Sequence, residues 1–455
     1  MPSNIIFLKK KYLNSYKYFF DYIKSYIRII RVFYIFVSSF IGFYITNLSN
    51  HFIYKLPLNS RLNLIKTITT KLEDMNIVYV KIFQSLCLDN NLLYENEKEY
   101  LIKYTDSVPF RNDDINYDIL DKLQTNYDIE VDSYIAVNSG VVSLVFTGMY
   151  NNERVVIKVL KNNIQHRLKT AFEDLELLIK MANVFSFIRK LNLKKCFIDN
   201  KDLLIEQTDF IKETENIEIF KRKIENYKEY IIPFCYKEIT LTHNNVIVME
   251  NIKNLVYNDI KNYNKTVKNE FGKLLVKFGL ISVLFTSAVH CDLHNGNVFF
   301  YINDDTDDKP KYQLGIIDFG IVAYPNRENQ NNYYNFLKNI QQYKDISKIE
   351  EVLYSVIKEE ERFKSLEPLK KAELLKKVSE IITRDISYES HHMEMFINMS
   401  QTINSYGFSF TKEFNQICLS MRISANMAME LLININETQN ELLDSFYNIN
   451  KLIDI

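Results

Sequence analysis

The chain has 455 residues, 47% of them hydrophobic and 25% charged, with a formal net charge of −1. That length holds two or three domains with their own cores, the composition excludes a disordered chain, and the charge balance excludes a generally basic nucleic-acid binder. Five scattered cysteines without a CxxC pair exclude a disulfide framework and a zinc ribbon, and they fit a reducing compartment.

In chain order, the first 31 residues carry seven basic side chains (Lys9, Lys10, Lys11, Lys17, Lys24, Arg28, Arg31) against one acid, Asp21. Val32–Leu48 follows without a charge. Its seventeen residues stand at the short limit for a membrane span. A helix that crosses a membrane and one that is buried or lies on a membrane surface therefore both stay open. The basic lead is too long for a secretory signal, and no small-residue cleavage site follows it. Residues 59–128 show polar helical spacing. Residues 131–160 turn β-rich, and VFTGMY, Asn151-Asn152 and RVVIKVL predict a hairpin. Helices are expected over 165–190 and 209–228, a buried strand over 246–250, and a long apolar helix over 266–288. Two strands, 298–302 and 313–318, flank an acidic tip, and from 326 onward the pattern is helical.

Glycine is scarce, at nine residues where average usage near 7% would give about 32. Such a chain is expected to keep glycine mainly where a backbone needs positive φ or close approach. Gly140, Gly148, Gly296, Gly315 and Gly320 all fall in stretches that also carry candidate chemistry.

The strongest of these is His290-Cys-Asp292-Leu-His294-Asn-Gly296-Asn297, followed by a strand, a turn, a second strand and Asp318-Phe319-Gly320. Phosphoryl transfer needs a carboxylate beside the attacking hydroxyl, and an amide and a second carboxylate on magnesium. Asp292 and Asn297 have the separation of the kinase loop HRDxxxxN, and Asp318 heads a DFG. The first is thus the candidate base, and Asn297 and Asp318 are candidate Mg²⁺ ligands. Lys158 is the single charge in the apolar run Val155–Leu160, where a kinase places its phosphate-contacting lysine. Glu213 shares a helical face with Phe210, Ile217, Phe220, Ile224 and Tyr227, so it needs a partner, and Lys158 is the expected one. Val246–Glu250 would lead into the hinge, with Met249 as gatekeeper and Glu250 presenting backbone to adenine.

These residues resemble the UbiB-like (aarF-domain-containing) atypical protein kinases associated with coenzyme Q biosynthesis. HCDLHNGN is similar to that family's HADxHPGN, and GIIDFGIVAYPNR to its LDFG segment. VYVKIFQSLCLDNNLL resembles the KxGQ segment, with Lys81 and Gln84 in place and Phe83 where the family has Gly. TDSVPF resembles the stretch that follows. TDFIKETENIEIFKRKI resembles the segment carrying the ExD motif and the helix Glu, matched by Asp209 and Glu213, with Glu206 one place early. Asn138-Ser139-Gly140-Val141-Val142-Ser143 replaces the family's alanine-rich nucleotide loop, so Ser139, Gly140 and Ser143 would cover the phosphates. Asn295 replaces the family Pro.

The resemblance implies an α+β, bilobal protein-kinase-like fold with a helical N-terminal extension carrying the KxGQ-type segment. Residues 1–58 would form a basic, hydrophobic membrane-proximal segment, 59–130 the extension, 131–255 the N-lobe and 256–455 the helical C-lobe. It implies ATP and Mg²⁺ as cofactors, with Lys81 and Gln84 over the nucleotide. It also implies a membrane lipid or isoprenoid precursor as partner, no nucleic acid, and membrane-associated work on the reducing side through residues 1–50. Two alternatives stay open: a nucleotide-sensing binding module with little turnover, and a small-molecule phosphotransferase.

Overall fold

The structure, a computed structural model, describes residues 2–54, 61–73, 75–80, 83, 94–101, 103–106, 108–182, 201, 204–304, 309–328, 330–331, 346–387, 392–432, 434, 437–438 and 441–442. They form two compact units. The first holds Met1–Asp209 and Thr242–Val248, and the second holds Phe210–Leu241 and Met249–Ile455.

The first unit opens with helix α1 (Pro2–Ser49), prolonged by one wider turn over Asn50–Tyr54, and continues with α2 (Arg61–Glu73). Within Ile23–Ile53, α1 is long and apolar enough to cross a membrane by length and composition. It buries one stripe, Ser25, Ile29, Val32, Ile35 and Ser39, against α2 and against α6 (Ile164–Ala182). On that stripe Arg28 grips the Asp174 carboxylate of α6 with two nitrogens, Nη2 donating to Oδ1 at 2.7 Å. Short helices α3 (Glu95–Leu101) and α4 (Lys103–Asp106) lead to α5 (Tyr117–Tyr127). The Asn116 side chain caps α5 by accepting the Ile119 N–H at 3.3 Å, which satisfies a donor that the first helical turn leaves orphaned.

A five-stranded sheet follows. β3 (Ser143–Tyr150) and β4 (Glu153–Leu160) form its central hairpin, with β1 (Glu130–Val131) and β2 (Asn138–Ser139) both paired to β3. Asn151 and Asn152 have φ of 51° and 64°. A two-residue turn with both centres left-handed matches the strand twist, and Asn tolerates that region better than other residues with a Cβ. Beyond β4, Leu160 donates its N–H to the Asn245 carbonyl at 2.9 Å, which brings the first residues of β6 (Val246–Glu250) to the sheet.

Gly148 and Gly140 separate the two reasons for keeping glycine. A Cβ on Gly148 would stand 2.3 Å from the Glu130 carbonyl oxygen, because β1 crosses there, whereas on Gly140 the nearest atom would be 3.6 Å away and no positive φ is involved. The expectation that glycine is kept mainly where the backbone needs it is met at Gly148 and does not extend to Gly140. Gly148→Ala should lower stability by about 1–3 kcal/mol through overpacking, and Gly140→Ala should leave it unchanged or raise it by up to about 1 kcal/mol. Urea melts of the two variants check this, and equal midpoints would refute the β1 clash.

In the second unit, α7 (Phe210–Lys223) stops five residues short of the expected helix end. α10 (Lys265–Ile281) likewise ends early, in a wider turn over Ser282–Thr286, before Ser287 enters the left-handed region at φ 50°. Between them lie β5 (Tyr230–Ile231), α8 (Lys237–Thr242), which ends where the chain returns to the first unit, and α9 (Tyr257–Ile260). Two small sheets carry the site. β7 (Val289–His290) pairs antiparallel with β10 (Val322–Ala323). β8 (Val298–Ile302) pairs antiparallel with β9 (Tyr312–Ile316), and β5 lies parallel on the far side of β9. The helical remainder comprises α11 (Ile346–Val356), α12 (Glu360–Lys364), α13 (Pro368–Ser387), α14 (His392–Ser405) and α15 (Lys412–Met429), with α15 packed along α10. The helical expectation for this stretch misses one pairing, the isolated antiparallel bridge between Ile357 and Phe410.

Candidate active site

The loop between β7 and β8 is built by its own side chains. His294 accepts the Gly296 N–H on Nδ1 at 3.1 Å, starting the short helical turn Asn295–Asn297. Asn297 is buried and donates its amide nitrogen to the Asp292 carbonyl at 2.8 Å. The Asn297 carbonyl in turn accepts the Ile317 N–H at 3.0 Å. One residue therefore ties the Asp292 loop to the backbone that delivers Asp318. The Asp292 side chain is half-buried, with its Oδ2 4.0 Å from His294 Nε2.

Asp318 has φ of 61°. Left-handed backbone at a non-glycine residue costs of order 1–3 kcal/mol and persists where surrounding structure imposes it. Here the imposing groups are visible. The Ile317 N–H is held by Asn297, the Asp318 carboxylate accepts the Gly320 N–H at 3.3 Å, and Phe319 is 0% exposed. The Phe319 ring packs on Phe220 of α7 at 4.9 Å and edge-on to His290 at 5.1 Å.

His290 joins the same network. Nδ1 accepts the Asp292 N–H at 3.2 Å, and Nε2 lies 3.3 Å from the Ile317 carbonyl. One acceptor and one donor describe a neutral imidazole. Burial lowers the His290 pKa below its ordinary value, against the opposing pull of Asp292 and Asp318. The ring is thus a fixed strut and unsuited to carry the reaction's proton. Ser420 on α15 clasps the His290 carbonyl from behind.

Glu213 is 1% exposed on the first turn of α7, on the expected face, with Phe210, Ile217 and Phe220 also buried. One turn along the helix, Asn216 donates to the Phe319 carbonyl at 2.8 Å and accepts from the Tyr324 hydroxyl. This unit therefore holds Glu213, Asp292, Asn297 and Asp318 together. Met249 bridges antiparallel to Cys235, and Glu250 donates its N–H to the Phe234 carbonyl at 2.8 Å. That amide is committed, so an adenine contact at Glu250 would fall to its carbonyl. Burial, with the Glu213, Glu218 and Glu238 charges, pushes the Cys235 thiol up to about 12, which leaves it inert.

The other candidates lie in the first unit. Lys158 is 9% exposed, opposite Val145 in the hairpin register. Ser139 and Ser143 are buried, and Gly140 closes their turn by donating its N–H to the Ser143 carbonyl at 2.9 Å. Val108, from the TDSVPF stretch, donates to the Ser139 carbonyl at 2.8 Å, so the helical extension holds the loop. Lys81 and Gln84 lie outside the described residues. Phe83 between them is buried on Tyr104, with ring centroids 5.1 Å apart, and the Tyr104 hydroxyl donates to Glu73 of α2. The extension thus absorbs the side chain that departs from the family's Gly.

Three parts of this network were missed in the sequence: Asn216, Ser420 and the strut role of His290. A second buried polar residue one turn after Glu213 was the available signal for Asn216; nothing local marks Ser420.

The donor set at Asn297 and Asp318 is oxygen only, an amide and a carboxylate. Among the described residues no group of three or more His, Cys, Asp or Glu side chains could hold a metal. An amide and a carboxylate fit magnesium, which keeps waters and takes one or two carboxylates plus substrate phosphates.

The chain is 26% identical over 279 residues to a probable protein kinase UbiB of Haemophilus ducreyi, covering 57% of this chain and 49% of that one. It is 28% identical over 265 residues to a probable protein kinase UbiB of Marinobacter nauticus, covering 55% and 46%. The chain spans about half the length of these curated relatives. A solved erythromycin complex of Rv3197 from Mycobacterium tuberculosis aligns with a TM-score of 0.44 and 15% identity over 76% of this chain and 86% of that one. The model of the ABC1 atypical kinase-like domain matches residues 121–353. With about half of its length matched, and with a kinase-type loop and DFG folded as described, the chain belongs to the ABC1 atypical kinase-like family.

Proposed function

We propose that this chain is an ATP- and Mg²⁺-dependent atypical kinase or ATPase that works beside a membrane in lipid or isoprenoid-quinone metabolism. The observation that carries the reading is the double tie of Asn297, to the Asp292 carbonyl and to Ile317 beside Asp318. Phosphoryl transfer is mostly positioning and charge stabilisation, and this tie fixes the relative places of a candidate base and a candidate metal ligand. The relatives named probable protein kinase UbiB support the kinase side of the reading.

In this reading Asp292 accepts the proton of the attacking hydroxyl, from water or an acceptor, as that oxygen bonds to the γ-phosphorus. The bond from γ-phosphorus to the β–γ bridging oxygen breaks, and ADP leaves. Magnesium, held by Asn297 Oδ1 and the Asp318 carboxylate, would neutralise charge on the phosphate oxygens. Lys158 would contact the phosphates, and Ser139, Gly140 and Ser143 would cover them. Met249 and Glu250 would border the adenine.

The test is nucleotide binding read by melting temperature, alongside ADP release. A ligand that binds the folded state alone stabilises it by about 2.7 kcal/mol at a hundredfold excess over Kd. Mg-ATP should raise the wild-type melting temperature, Lys158→Met should suppress the rise, and ADP should accumulate with wild type. Equal shifts in both proteins would remove Lys158 from the phosphates. A shift without ADP would favour a nucleotide sensor.

A further inference from the structure

We propose that α1 lies in the plane of an anionic bilayer surface, as an anchor that does not cross the membrane. This deepens the membrane attachment proposed above and stands apart from the phosphotransfer chemistry.

The surface of α1 divides into sectors. The stripe Ser25, Ile29, Val32, Ile35 and Ser39 is buried in its own unit. Opposite it run Ile27, Tyr34, Ile41 and Leu48, seven residues apart in sequence and between 54% and 70% exposed. Ile30, Val37 and Tyr44 fill the spaces between them and are exposed as well. At 3.6 residues per turn this exposed apolar sector covers roughly 100° of the helix. A bare apolar face of that width along a helix this long is far more than scattered surface hydrophobes. Exposed Lys24 and Arg31 lie at its edge. No Asp or Glu occurs between Asp21 and Glu73, whereas Lys24, Arg28, Arg31, Lys55, Arg61, Lys66 and Lys71 all fall in that interval. The chemistry that fits is apolar contact bordered by positive charge, as at an anionic lipid surface.

The packing of α2 decides between lying and crossing. α2 runs back along α1, and Lys71 Nζ donates to Ser39 Oγ at 3.4 Å. Ser39 stands near the middle of the uncharged run Val32–Leu48. A crossing α1 would carry Lys71 toward the bilayer centre, where a lysine is costly to place, and exposed Arg61 and Lys66 of α2 would follow. At the other end, the Arg28–Asp174 pair fastens α1 to α6. With α1 in the plane, the buried stripe keeps its protein partners, the opposite face enters the lipid, and exposed Arg61, Lys66 and Lys71 stay in water.

The chain contains no tryptophan, so single Trp replacements report without background. Ile27→Trp, Tyr34→Trp, Ile41→Trp and Leu48→Trp are made in the full chain, all at exposed positions. Each is mixed with phosphatidylcholine vesicles with or without phosphatidylglycerol, and quenched by lipids brominated at different depths. In-plane binding predicts a blue shift at all four sites with phosphatidylglycerol vesicles, one common shallow depth, and loss of binding at high salt. A span predicts that Tyr34→Trp and Ile41→Trp sit about 10 Å deeper than Ile27→Trp and Leu48→Trp, at 1.5 Å per residue. That profile, or retention of the wild-type chain in membranes after carbonate extraction, would overturn the proposal. So would the absence of any blue shift, which would mean that a protein covers this face, and so would equal binding to neutral vesicles. None of these readouts requires turnover, so their failure and that of the phosphotransfer reading are separate events.

Discussion

Asp318→Asn is expected to abolish Mg²⁺-dependent ATP hydrolysis while the protein melts cooperatively near the wild-type temperature. The substitution is nearly isosteric. Asn tolerates the left-handed backbone that Asp318 adopts at φ 61°, and its amide oxygen can still accept the Gly320 N–H. What disappears is the negative charge that a magnesium ion would meet. Loss of one group aimed at transition-state charge costs about a hundred- to a thousandfold in turnover, and loss of the metal itself costs more. ADP release with Mg²⁺ present, set beside a thermal melt, reads both halves. Wild-type turnover in a well-folded Asp318→Asn protein would sink the kinase-type assignment.

Phe319→Ala should produce the largest loss of stability among substitutions around the site, about 3–5 kcal/mol for a fully buried phenylalanine. The ring touches Phe220, which belongs to the helix bearing Glu213, and His290, which braces the Asp292 loop. A cavity there loosens both neighbours. The hydrogen bond from Asn216 ends on the Phe319 backbone carbonyl and survives the change, so the loss reports side-chain packing. Phe319→Leu should cost less, because it leaves a smaller void. Urea midpoints measure the series, and a Phe319→Ala protein within about 0.5 kcal/mol of wild type would show that the ring is not a keystone.

Much of this was legible in the sequence because it is local. The separation of Asp292 from Asn297 lies within one loop. The hairpin at Asn151-Asn152 is a contiguous pattern, and its left-handed pair follows from turn chemistry. Lys158 stood out as one charge in an apolar strand, and Glu213 as one carboxylate on an apolar helix face; both are buried where that pattern put them. The match of residues 121–353 to the ABC1 atypical kinase-like domain agrees with the family those motifs resembled.

Other features were settled by contacts between residues far apart in the chain. The helix ends differ from the sequence reading: α7 stops at Lys223, whose side chain reaches the Thr286 carbonyl, and α10 passes into a wider turn after Ile281. Gly148 is required and Gly140 is not, since the difference lies in whether the backbone of β1 passes overhead. A histidine beside two carboxylates invites assignment as an acid or base, yet burial and two backbone partners hold His290 neutral. From Val32 to Leu48 the sequence of α1 carries no charge on any side, so charge does not mark its inner face there; Ser39 against Lys71 and, one stretch earlier, Arg28 against Asp174 do. Composition and spacing determined the element types and the chemistry of the loop motifs, because turn geometry and motif spacing act over a few residues. Only the tertiary structure decided which polar groups are struts, which glycine is indispensable and which face of α1 is bare, because those depend on where distant backbone and side chains come to rest.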